Sequence, residues 1–136
     1  MISIAPKPDL CMISFNLRFD SHMRRCGVAL NLDHNADKAY FITLDKQYSS
    51  LRFRSYLMET ELGWRVLPNM TELERPLMLI DGKDYNITII IDKTICEIYV
   101  NDDIAMSSRM YDLSSNLWGI FSIGKNTNIS GITLYE

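Results

Sequence analysis

Residues 88–112 read TIIIDKTICEIYVNDDIAMSSRMYD and divide into three extended apolar runs with almost nothing left over. The breaks between them are Asp92-Lys93-Thr94 and Asn101-Asp102-Asp103, both short and polar. Asn and Asp tolerate left-handed backbone, so each break is suited to closing a tight hairpin between antiparallel strands. A parallel arrangement would need a crossover of a dozen residues or more, and there is no room for one.

The same period extends outward in both directions. In LCMISFNLRF, residues 10–19, Cys11, Ile13, Phe15, Leu17 and Phe19 fall on one face, with Met12, Ser14, Asn16 and Arg18 on the other. That is the pattern of a half-buried strand. GVALNL (27–32), KAYFITLD (38–45) and SSLRFRSYLM (49–58) repeat it, and in the last of these Leu51 and Phe53 oppose Arg52 and Arg54. ERPLMLID (74–81), DYNITIIID (84–92), LWGIFSI (117–123) and NISGITLYE (128–136) bring the expectation to about ten strands. Asp81-Gly82-Lys83 and Gly124-Lys125-Asn126 are further turns, and residues 57–73 read as a long irregular loop. The expected fold is all-β: a two-sheet antiparallel sandwich, a jelly roll of the concanavalin or laminin-G type, forming one domain over 1–136.

Composition narrows the function. A chain of 136 residues with 47% hydrophobic and 23% charged residues is long enough to bury a core of its own. A formal charge of −3 with scattered basic residues gives no electrostatic reason to expect nucleic acid or an anionic membrane as partner. No apolar run approaches the length of a membrane span, and MISIAPKPD lacks the layout of a signal peptide, although the compartment stays open. Cys11, Cys26 and Cys96 are an odd set lying largely within strand patterns, which favours free buried thiols over a disulfide framework.

From I-I-I-D-x-T-x-C-E-I-Y-V-N-D-D-x-A-x-S-S-R-M-Y-D through N-x-W-G-I-F, the chain closely resembles the C-terminal sandwich domain of glycoside hydrolase family 32, which includes levanases, invertases and other fructosidases. The matching residues are Asp92, Glu97, Tyr99, Val100, Asn101, Asp102, Ala105, Ser108, Arg109 and Tyr111, and the upstream segments follow in the family's order. One departure is Asp103, where the family usually carries glycine. Enzymes of this family hold their carboxylates on an N-terminal five-bladed propeller, within W-M-N-D-P-N, R-D-P and E-C signatures. None of these occurs here. The resemblance therefore implies a non-catalytic domain whose catalytic propeller would lie elsewhere in a parent chain. Related sandwiches also act as fructan-binding modules, so a fructose-containing carbohydrate is the implied ligand. The alternative is a purely structural sandwich that stabilises or dimerises the propeller.

The residues themselves offer little other chemistry. The paired carboxylates of a sandwich glucanase, in an E-x-D-x-x-E run, are missing, and neither His22 nor His34 lies in a nucleophile motif. Asp33, Asn35 and Asp37 begin like a calcium loop, but Lys38 and Leu44 stand where that loop needs glycine and glutamate. No metal or other cofactor is expected. Sugar binding asks for convergent donors and acceptors beside an aromatic wall. The candidates are Arg109 and Asp112 in SRMYD, Trp118 in LWG, Glu74 and Arg75 in ERPL, and Tyr56 in LRFRSY. Trp118 is equally suited to a core, and the Arg–Glu pairs to structural bridges.

Overall fold

The computed structural model describes residues 2–33, 38–60, 63–66, 73–111, 115–124 and 128–136. They form twelve strands: β1 (Ile2–Pro6), β2 (Leu10–Arg18), β3 (Met23–Leu32), β4 (Lys38–Asp45), β5 (Ser50–Thr60), β6 (Gly63–Val66), β7 (Leu73–Pro76), β8 (Asp84–Asp92), β9 (Ile95–Val100), β10 (Ile104–Arg109), β11 (Leu117–Gly124) and β12 (Asn128–Tyr135). Two antiparallel sheets result. The larger runs β1-β11-β3-β4-β5-β6, with β7 also pairing to β5, and the smaller runs β10-β9-β8-β2-β12.

The opening stretch supplies the three consecutive strands at one side of the smaller sheet. Ile98 pairs with Ile89 on one side and Met106 on the other, and all three are buried. Asn101 and Asp102 both take positive φ, at 52° and 57°, and Asp103 N–H closes the turn on the Val100 carbonyl at 3.0 Å. Two left-handed residues in succession give a hairpin whose twist matches its strands. Asp103 follows those two positions and needs no glycine. The Asn101 side chain also accepts the Asn86 N–H at 2.7 Å, tying the turn to the start of β8.

The inward faces of both sheets merge in one core. Ile13, Phe15 and Leu17 from β2, Ile87, Ile89 and Ile91 from β8, and Val28, Leu30, Tyr40, Ile42, Leu51 and Phe53 from the larger sheet are at most 2% exposed. Each such side chain contributes roughly 1.5–3 kcal/mol by leaving water. A smaller cluster, with Ala29, Ala39, Phe41 and Phe121, lies on the outer side of the larger sheet, where the two phenyl rings meet edge to face at 5.3 Å. Asn31, at φ 53°, accompanies an irregularity opposite Leu117 and Trp118 that brings Leu32 into this outer cluster while Leu30 stays within.

Several boundaries differ from the sequence reading. The segment 57–73 is not wholly a loop, because β5 continues to Thr60 and turns back as β6, with Tyr56 opposite Val66. Strand β1 went unread because its five residues end at Pro6, and prolines flank Lys7 on both sides. ERPLMLID is a strand only as far as Pro76, and β10 stops at Arg109 instead of reaching Asp112. The turn expected at 124–126 lies mostly outside the described residues.

Candidate functional site

Alternation along β5 buries Leu51 and Phe53 and sends Arg52 to the outer face of the larger sheet, where neighbouring strands surround it with polar groups. Across β7, Glu74 stands directly opposite, with Oε1 3.4 Å from Arg52 Nη2. On the other flank Asp45 Oδ2 lies 3.8 Å from Nη1, and within β5 Nε donates to Ser50 Oγ at 2.8 Å. The guanidinium also lies over the Tyr48 ring, 4.6 Å from its centroid. Asp45 in turn accepts the Tyr48 N–H at 3.1 Å, which fixes the ring's backbone. By register, Thr43 is beside Arg52 and Arg25 beside Asp45.

Burial grades this cluster from floor to rim. The side chain of Asp45 is 3% exposed and that of Arg52 13%, whereas Glu74 is 45% exposed and Tyr48 58%. A planar fork held by several partners is pre-organised, and its unused N–H groups can meet vicinal hydroxyls at fixed geometry. Glu74 offers an acceptor beside it and Tyr48 an aromatic surface for the apolar patches of a ring. These are the three kinds of group that sugar recognition needs.

Among the described residues, those singled out from sequence do not converge. Glu74 belongs to the Arg52 cluster. Arg75 is exposed one position along, opposite Leu51. Tyr56 lies on β5 opposite Ala39, with a side chain outside the described residues, as is Asp112 altogether. Arg109 ends β10 opposite Ile95 and is exposed on the smaller sheet. Trp118 shares its parity on β11 with Ile120 and packs in the main core at 8% exposure, its buried Nε1 meeting no acceptor. Glu74 and Arg109 are thus on opposite sheets, each facing away from the sandwich, and no single site holds both. Asp45, Ser50 and Tyr48 were missed, since only the pairing of β4, β5 and β7 makes them neighbours of Arg52.

Two clefts lie away from this face. One of about 410 Å³ runs between β2 and β12, lined by Asn16, Arg18, Asp84 and Asn128. Its Arg18–Asp84 pair is 2.8 Å apart, but more than half of each side chain is in solvent, so the attraction is weak. The second, of about 290 Å³, opens at one end of the sandwich beside Lys7 and Tyr111. Among the described residues no three His, Cys, Asp or Glu side chains are grouped as metal ligands; the Asp33–Asp37 stretch lies mostly outside them. All three cysteines are free and buried, and burial pushes the Cys96 thiol up to about 12 and Cys26 higher still.

Two antiparallel sheets packed in this order define a β-sandwich of the jelly-roll type shared by galectins and carbohydrate-binding modules. The carbohydrate-binding module CBM66 from Bacillus subtilis superposes with a TM-score of 0.71 at 15% identity, over 98% of this chain and 78% of that one. The galectin LEC-6 of Caenorhabditis elegans gives 0.65 at 13% identity, over 97% and 90%. The exo-inulinase of Aspergillus awamori gives 0.75 at 11% identity, and this chain spans 26% of that enzyme's length. No curated protein sequence matches the chain. The family model for the C-terminal domain of BT1760-like glycoside hydrolase family 32 proteins matches residues 10–134, and the chain belongs to that family. It is therefore a domain of the C-terminal kind found in family 32 glycoside hydrolases.

Proposed function

We propose that this domain binds fructose-containing carbohydrate on the outer face of its larger sheet and so holds a family 32 catalytic propeller in the same protein on its substrate. The observation that carries this reading is Arg52, held between Glu74, Asp45 and Ser50 and stacked on Tyr48. The exo-inulinase likeness supports the choice of fructan, and the position of the family at the C-terminal side of hydrolases supports the attached propeller. A shallow site with a few charge-assisted bonds and one ring, offset by lost ligand freedom, corresponds to roughly micromolar to millimolar affinity. Retardation of the purified chain in levan and inulin affinity gels tests it. Migration unaffected by either polymer would leave the domain an ancillary one.

A second reading, structural support of the propeller, is favoured by the outer face of the smaller sheet. There Tyr135, Met12 and Ile90 lie side by side across β12, β2 and β8, with Leu10 two residues along. Leu10 is 62% exposed, Tyr135 51% and Ile90 37%, an apolar row of the kind that docks against another domain. The two readings use opposite faces and are compatible.

A further inference from the structure

The ladder that brings Glu74 to Arg52 continues past them in one register, with Leu51 opposite Arg75 and Ser50 opposite Pro76. Strand β7 ends at Pro76, yet the Leu77 N–H still donates to the Ser49 carbonyl at 2.8 Å. The same register therefore carries Met78 to the level of Tyr48, two residues beyond Pro76 and Ser50. Leu77 and Leu79 turn into the core, while Pro76 and Met78 are exposed, Met78 at 73%. At roughly 3.3 Å per extended residue, Glu74, Pro76 and Met78 make an exposed strip about 13 Å long beside Arg52.

The far end of this strip is fixed in place. The buried Tyr85 hydroxyl accepts the Ile80 N–H at 2.8 Å and donates to the Met78 carbonyl at 3.4 Å, so the exposed Met78 side chain rises from pinned backbone. Apolar surface fixed before a ligand arrives loses little freedom on binding. Tyr48 meets it from the neighbouring turn. One face of the Tyr48 ring is covered by the Arg52 guanidinium, 4.6 Å from its centroid, and the residue still keeps 58% of its surface in solvent. A sugar ring hydrogen-bonded by the Arg52 fork and Glu74 cannot also lie on the face of Tyr48 turned away from that fork. The two surfaces are places for two rings.

We propose that the Arg52 site recognises two consecutive sugar residues, the first hydrogen-bonded by Arg52 and Glu74 and the second packed on an apolar shelf of Tyr48, Pro76 and Met78. This rests on the carbohydrate reading of the Arg52 face and deepens it: the ligand is an oligosaccharide, and a lone monosaccharide fills half of the site.

The test is calorimetric titration of the intact chain with fructose and with the disaccharides of levan and inulin, alongside the NMR signal of the Met78 methyl group. One disaccharide at least should bind about tenfold tighter than fructose, and it alone should shift the Met78 methyl. Met78→Ala, at an exposed position, should weaken that disaccharide about fivefold and leave fructose affinity unchanged. Arg52→Lys should weaken both sugars. Equal affinity for fructose and both disaccharides, or a Met78→Ala variant that holds the disaccharide as tightly as the unchanged protein, would overturn the shelf and leave a monosaccharide site at Arg52. No binding of any of these sugars would overturn the carbohydrate reading of the face, and the shelf with it.

Discussion

Asp45 and Arg52 face each other diagonally across the β4–β5 ladder, 3.8 Å apart, with 3% and 13% of their side chains exposed. A guanidinium so placed both serves the fold and is available to a ligand, and one substitution separates the two roles. Arg52→Lys keeps the charge near Asp45 but removes the planar fork that reaches Glu74 and Ser50. The expected result is loss of most levan or inulin retardation with a melting temperature close to that of the unchanged protein. A large fall in melting temperature with full retardation would make Arg52 a structural residue.

Arg109→Ala is the matching control. Its side chain is exposed at the end of β10, on the sheet opposite the Arg52 face. Both retardation and melting temperature should stay near their original values, since exposed substitutions away from packing features are usually within about 0.5 kcal/mol. Abolished retardation would move the fructan site to the smaller sheet.

Much of the fold was legible because each face of the sandwich is one-sided: the alternation in LCMISFNLRF is the alternation of β2, buried from Cys11 through Leu17 at every second residue. The hairpin turns were legible from Asn101 and Asp102, whose backbone takes the left-handed form their side chains tolerate. The candidate site was not legible in this way. Glu74 and Arg52 are 22 residues apart and meet only through the β5–β7 register, which no local pattern encodes. At Trp118 the sequence left two readings open, a sugar-binding wall and a core residue. Large aromatic and half polar, it suits a sugar-binding wall, yet its parity with Ile120 turns it inward.

Gly27 provides a test of the register between β3 and β4. A Cβ built there would overlap the Ile42 carbonyl, and backbone on a central strand cannot move aside as a flexible side chain could. Gly27→Ala should therefore destabilise the domain by about 3 kcal/mol, at the upper end of what overpacking a core typically costs. Urea denaturation with an unchanged midpoint would show that β3 and β4 pair differently.

The buried thiols set the alkaline limit of stability. Burial raises Cys96 to about 12 and raises Cys26 and Cys11 as well, so above about pH 9 an unfolded chain releases thiol protons that the folded chain keeps. The folded state then binds more protons, and stability falls as pH rises from about 9 towards 12, at up to about 1.4 kcal/mol per pH unit for each thiol. Lys7 acts in the opposite sense: its pKa is lowered by burial, so over the range up to the ordinary lysine value of 10.5 it is the unfolded chain that holds the extra proton. Three thiols against one lysine leave the slope negative. Chemical denaturation at pH 8, 9, 10 and 10.5 should show a steady loss of stability, steeper in Lys7→Met and shallower in Cys96→Ala, with no thiol reacting with an aromatic disulfide reagent in the folded protein at pH 8. A stability that holds flat to pH 10.5, or rapid reaction of any of the three thiols at pH 8, would mean that the sandwich interior is open to water at Cys11, Cys26 or Cys96.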